Sequence, residues 1–294
     1  MRQRAKAILR RARALAPFRD PEDNGNVLIL GSGRSGTTWL AEQVALNSDG
    51  RIIFEPLHPQ VAGKPSWAGS QSYVPPTDPC PTARAFFDPI LDGRFRSVWT
   101  DRYNHRFIYQ HRVIKMIRGN LMLGWFAATY PDARIALVLR RPFDVAMSQI
   151  RCGWPSSIDH LLDQPKLLED YGDCLPEAIS RARSPFELNI VQWCIENGLA
   201  LRQFEKASEA NTNLAVYEYE ELKQDPDLFR SFLAFCGAKS DAHALRHLRK
   251  PSRAANLSNA EGRNVDTPYE PSDGERAYAR QILTEFGLER FAPR

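Results

Sequence analysis

Four consecutive apolar residues, Val27-Leu28-Ile29-Leu30, run straight into Gly31-Ser32-Gly33-Arg34-Ser35-Gly36, after which Thr37-Thr38-Trp39-Leu40 opens a helix reaching about Asn47. An unbroken apolar run is what a strand buried on both faces requires. The glycines let the backbone fold tightly, and the first turn of the helix offers unpaired N–H groups to an anion. Strand, glycine loop and helix in this order restrict the chain to an α/β fold that begins with an anion site.

The rest of the chain continues that alternation. Strands are expected at Arg51–Phe54, Arg112–Ile117, Arg134–Leu139 and Leu214–Tyr217. Helices are expected over Leu121–Thr129, from Pro142 onward, and over Pro185–Ala207, Pro226–Cys236 and Glu275–Phe286. Gly63 to about Pro89 is rich in Pro, Ser, Asp and Gly and reads as an irregular surface insertion, and positions 152–185 read as mixed and loop-rich. The fold expected is α/β, a parallel central sheet with helices on both faces, like that of P-loop NTPases. The 294 residues suit one domain over 25–294 behind a basic arm, 1–24.

Charge separates those two parts. Arg2, Arg4, Lys6, Arg10, Arg11, Arg13 and Arg19 precede the first acid, Asp20, and these seven exceed the net charge of +4, so the body is slightly acidic. With no basic-aromatic stripe in that body, nucleic acid is not an expected partner. Ile8, Leu9, Ala12, Leu15 and Ala16 fall at helical spacing, so the arm reads as a solvated or docked leader helix, with peripheral contact of residues 1–20 to anionic lipid and an organellar transit peptide as the other readings. Five widely spaced cysteines without a C-x-x-C, no secretory h-region and no apolar run of 18 point to a reducing, cytoplasmic setting and away from disulfides or zinc.

The glycine loop matches the Walker A pattern at both glycines and at Thr38, but Thr37 occupies the lysine position. The best buried strand ends in Arg140-Arg141, which repels a metal where a magnesium-binding aspartate would stand, so no metal site is expected. An anion with two groups at its 5' end and no need of metal suits such a loop, and a phosphosulfate is one. The backbone of Gly33, Arg34, Ser35, Gly36, Thr37 and Thr38 would hold it, with Arg34 at the bridging oxygen.

The run Gly31 to Leu40 resembles the 5'-phosphosulfate loop of the sulfotransferases that use 3'-phosphoadenosine 5'-phosphosulfate (PAPS). Arg34, where cytosolic members usually carry Lys, is closer to bacterial and Golgi-type carbohydrate sulfotransferases. Arg140-Arg141-Pro142-Phe143-Asp144-Val145-Ala146-Met147-Ser148 resembles the family's 3'-phosphate motif, R-x-P-x-D-x-x-x-S, and implies that Arg140 and Ser148 bind that phosphate. Tyr217 to Pro226 resembles the Y-E-D-L-x-x-D-P segment, and Lys250-Pro251-Ser252-Arg253 a late basic segment that closes over the nucleotide, implying contacts from Ser252 and Arg253. By the same resemblance Trp39 packs on the adenine, unless it is a core tryptophan.

Transfer of a sulfuryl group to a hydroxyl needs a base. Glu55, at the end of the second strand in a stretch resembling E-P-L-W-H of carbohydrate sulfotransferases, is the preferred one, with orientation of Arg34 as its alternative role. His58 is the rival base. Lys115, a charge inside an apolar strand, either binds a sulfuryl oxygen or is a paired structural lysine. The resemblance implies PAPS as co-substrate, a hydroxyl acceptor of carbohydrate or glycolipid type, and release of adenosine 3',5'-bisphosphate (PAP). A P-loop kinase of a small molecule and a non-enzymatic nucleotide-binding protein are the alternatives.

Overall fold

The structure, a computed structural model, describes residues 25–69, 71–172, 175–241, 245 and 269–293. The basic arm and the Lys250–Arg253 segment, with Ser252 and Arg253, lie outside the described residues. Among the described residues five parallel strands form one sheet: β1 (Asn26–Leu30), β2 (Gly50–Phe54), β3 (His111–Met116), β4 (Arg134–Leu139) and β5 (Leu214–Glu218), in the order β2-β3-β1-β4-β5. β1 lies at the centre, pairing Leu28 with Ile114 on one side and with Ile135 on the other.

Among the described residues the α-helices are α1 (Thr37–Ser48), α2 (Pro81–Leu91), α3 (Leu123–Thr129), α4 (Pro142–Arg151), α5 (Asp159–Leu162), α6 (Pro165–Tyr171), α7 (Leu175–Arg181), α8 (Pro185–Ser208), α9 (Tyr219–Gln224), α10 (Pro226–Phe235) and α11 (Asp273–Glu285). Alternation along β1 divides them into two layers. Leu28 and Leu30 belong to the larger core, with side chains of α2, α3, α4, α8 and α11. Val27 and Ile29 belong to the smaller one, with side chains of α1 and α10. The expected arrangement of a parallel sheet with helices on both faces is what forms, because each strand must bury two apolar faces. Among the described residues no helix is long and apolar enough to cross a membrane.

The insertion differs from its sequence reading. Residues 81–91 form a helix, not an irregular loop, with Ala83, Phe86, Phe87, Ile90 and Leu91 buried along one face. That spacing is helical; Pro81 suits the first turn, and Pro89, in the last turn, forgoes the bond its missing N–H would have made. The stretch read as loop-rich over 152–185 likewise carries three short helices, α5 to α7.

A buried arginine ties the insertion to the sheet. Arg51 of β2 is fully buried and pairs with Asp101 at 2.9 Å, and its guanidinium also donates to the carbonyls of Gly93 (2.9 Å) and Phe95 (2.6 Å). The Asn104 side chain then pairs with the Ile52 backbone like a strand residue, accepting from its N–H at 2.9 Å and donating to its carbonyl at 2.8 Å. Removing one partner of a buried ion pair leaves the other charge without compensation. Arg51→Ala is expected to lower stability by about 3–5 kcal/mol, read as a shift in the urea unfolding midpoint; a loss within ordinary surface-mutant range would show that Asp101 is solvated instead.

Candidate active site

The loop between β1 and α1 lies at the carboxyl end of the sheet, where open α/β sheets place their ligands. Two of its residues have left-handed backbone, Arg34 (φ 78°) and Gly36 (φ 81°). A Cβ on Gly31 would stand 2.5 Å from the Val138 carbonyl oxygen, one on Gly33 2.7 Å from the Trp154 ring, and one on Gly36 2.2 Å from the Tyr219 ring. The glycines are therefore set by close approach as well as by turn geometry. α1 opens without a side-chain cap and without an acidic residue in its first turn, so its first N–H groups and dipole face the loop unopposed.

Arg34, Arg140 and Ser148 meet at this loop. Arg34 Nε donates to Ser148 Oγ at 3.0 Å, and Arg140 Nη1 donates to the Arg34 carbonyl at 2.8 Å. Gln149 Nε2 holds the Gly33 carbonyl at 3.1 Å. Three elements thus converge: the β1–α1 loop, the end of β4 and the second turn of α4. Arg140 lies over the Tyr219 ring at 5.3 Å and 3.7 Å from Glu220 Oε1, a loose pair. Among the described residues, Arg140 Nε and Ser35 Oγ are buried without a hydrogen-bond partner, which a well-packed interior seldom tolerates. Donors left unfilled beside two guanidinium groups and a helix amino end fit a polyanion.

Glu55 and Lys115 form the second group. They are neighbours in the sheet, since Phe54 is in register with Lys115. Both side chains are buried, and Lys115 Nζ donates to Glu55 Oε1. The Ile117 N–H donates to both carboxylate oxygens at 3.2 Å, and Arg118 Nη1 reaches Oε2 at 3.5 Å. Glu55 has left-handed backbone (φ 48°) that turns its side chain back over the end of β3. Burial pushes the Lys115 ammonium down from its usual range, Glu55 opposes that, and Arg118 and Arg34 add to it. Ile117 Cδ1 stands 3.4 Å from a Cβ placed on Gly33, so this group adjoins the β1–α1 loop.

His58 stacks on Trp99 with ring centroids 3.7 Å apart, and Arg102 covers the Trp99 ring at 3.9 Å. Burial, helped by Arg118, Arg102 and Lys115 and opposed by Glu55, lowers the His58 pKa to about 4, so the ring is neutral near pH 7. Its Nδ1 accepts from the Gln60 N–H at 3.2 Å, which leaves the ring proton on Nε2 and makes that atom a donor. Trp39 is buried in the smaller core, 5.6 Å from Phe229 and 6.0 Å from Tyr219, as a core tryptophan.

The chain matches the Sulfotransferase family over residues 26–241. It belongs to the sulfotransferase family. A sulfotransferase is an enzyme that moves a sulfuryl group from PAPS, and the PAPS-dependent activity applies to this chain as a member. No curated protein matches in sequence. Among solved structures the chain is similar to the sulfotransferase from Alicyclobacillus acidocaldarius, at 17% identity, covering 92% of this chain and 96% of that one, TM-score 0.45. It is also similar to the sulfotransferase domain from the curacin biosynthetic pathway, at 16% identity, covering 92% and 99%, TM-score 0.47. A third is sulfotransferase STF9 from Mycobacterium avium, at 16% identity, covering 96% and 80%, TM-score 0.42.

Several residues of this candidate site carry no clear signal in the sequence. Arg118 lies two residues past β3 at the ligand edge of the sheet, a position that marks basic residues as candidates. Trp154, set over Gly33 and 5.7 Å from Arg34, was signalled only by an aromatic residue in a Gly-Trp-Pro turn. Tyr219 stood in a recognised segment, but its seat against Gly36 depends on the α9 turn after β5.

That seat gives a direct test. Gly36→Ala forces a side chain into left-handed backbone and against Tyr219, at an expected loss of about 1–3 kcal/mol in guanidinium unfolding. The loss should be smaller in a Tyr219→Ala background if the ring carries part of it. Equal losses in both backgrounds would leave backbone strain as the whole effect.

Proposed function

We propose that the β1–α1 loop holds the 5'-phosphosulfate of PAPS, and that Arg140 with Ser148 holds its 3'-phosphate. The observation that carries this reading is the meeting of Arg34, Arg140 and Ser148 beside unfilled donors. In this reading the loop cradles the anion as a P-loop does, with Thr37 at the P-loop lysine position and the cation supplied by Arg34 instead. A permanently charged fork and a hydroxyl suit a phosphate monoester. Ser252 and Arg253 would add to the nucleotide contacts.

PAPS supplies the sulfuryl group and a 5'-phosphate that accumulates charge as it leaves. Arg34 and the first N–H groups of α1 face that charge. Glu55 is the group we assign to receive the acceptor proton, because His58 Nε2 is a donor and Glu55 is held in one orientation by three partners. While Glu55 is ionised, Lys115 is bound to it. Once Glu55 carries the proton, the Lys115 charge loses its counter-ion and turns to the sulfuryl oxygens. The acceptor we propose is a hydroxyl of a carbohydrate or glycolipid, resting on the Glu55-Pro56-Leu57-His58 stretch and on the Trp99 ring stacked beside it.

Two measurements test the assignment. PAP should bind clearly more tightly than AMP by calorimetry, and Arg140→Ala should abolish most of that difference; equal affinities for the two nucleotides would refute the 3'-phosphate pocket. Glu55→Gln should lower kcat by roughly 10² to 10⁴ while PAP affinity stays near that of the wild type. A variant with near-normal kcat takes Glu55 out of the role.

A further inference from the structure

Behind the phosphate loop lies a buried polar network that the transfer reaction does not use. Glu196, midway along α8, is 1% exposed. Ser32 Oγ donates to its Oε2 at 2.5 Å, and Gln192 Nε2 donates to its Oε1 at 2.5 Å. Ser32 Oγ also accepts from Asn197 Nδ2 at 2.9 Å, and Asn197 Oδ1 accepts from Asn120 at 3.2 Å. Gln192 is fixed in turn by the Ser157 N–H (2.8 Å) and hydroxyl (3.0 Å).

We infer that Glu196 is a positioning residue that holds the phosphate loop through Ser32 and takes up a proton when an anionic nucleotide fills that loop. The inference rests on the nucleotide assignment above. Its physical basis is the surroundings of the carboxylate. The groups acting on it are Ser32 of the loop, Gln71 of the insertion, Gln192 of its own helix and Arg118 after β3. Arg118 is the charged one, and it pairs with Glu55. Among the described residues Glu196 forms no ion pair. A buried carboxylate served by neutral donors is destabilised in its charged form. Burial accordingly raises its pKa to about 7, against the opposing pull of those four neighbours.

An anion arriving at the loop adds like charge one residue contact away, in a medium of low dielectric. The carboxylate then favours its protonated form, and the proton comes from solvent. A protonated Glu196 donates to Ser32 Oγ, which has a second lone pair beyond the one used by Asn197, and the Ser32 O–H is released to donate within the loop. Linkage fixes the sign. Because binding raises the proton affinity of Glu196, nucleotide affinity falls as pH rises above about 7, by up to about ten-fold per pH unit for one coupled proton.

The test is calorimetry of PAP binding to the full chain at pH 7.5 in Tris and in HEPES, whose ionisation enthalpies differ. Wild type should take up a fraction of a proton that Glu196→Gln does not, and the variant should lose the matching part of the pH dependence. Equal proton uptake by wild type and Glu196→Gln overturns the inference while leaving the nucleotide assignment standing. Failure of PAP to bind wild type at all overturns both. Should Glu196→Gln not fold, infrared difference spectra of wild type decide: the carbonyl band of a protonated carboxyl should grow on adding PAP at pH 7.5, and its absence refutes the coupling.

Discussion

Arg140 donates to the backbone carbonyl of Arg34, and Arg34 in turn reaches Ser148. This pair of contacts locks the loop after β1 to the end of β4 and to α4. Without it the loop, the strand end and the helix would be three separate features of an ordinary α/β sheet. With it, two guanidinium groups and the amino end of α1 share one small volume that only anions can satisfy. The strand order places β4 directly beside β1, so the two arginines meet although 106 residues separate them in sequence.

The electrostatics of the site are graded by depth. The loop is lined by cations and N–H groups. One layer further in, Lys115 and Glu55 neutralise each other under burial. Behind the loop on the α8 side, Glu196 has neutral donors. In the proposed site a polyanion entering the loop would act on Lys115 and Glu196 in the same sense, since a lysine and a carboxylic acid both hold a proton more firmly beside negative charge. The chain belongs to the sulfotransferase family, and in the site proposed above this layering would suit a highly charged co-substrate.

Much of this was legible in the chain because it is written in local patterns. The continuous run at Val27–Leu30 announces a strand buried on both faces, and Arg134–Leu139 does the same; both strands fall where the patterns put them. The glycine loop after β1 and the arginine–serine pair are short motifs with local geometry. What the sequence did not disclose arises from packing across distance. Pro89 hid the helical face of Phe86, Phe87 and Ile90. Glu196 lies 164 residues from Ser32 and looks, in one dimension, like an ordinary charge on a long helix. Lys115 was conspicuous, but only the register of β2 against β3 shows that Glu55 is its partner.

The side-chain amide of Asn104, laid along β2 and held there through Asp101 and Arg51, has a wider consequence. It occupies backbone groups of Ile52 that an incoming strand would otherwise take, and the Thr100 carbonyl occupies the N–H of Phe54 at 2.9 Å. That border of the sheet is closed to the edge-to-edge stacking by which β-proteins aggregate. The same residues that tie the segment 93–104 to β2 thus also cover that border of the sheet.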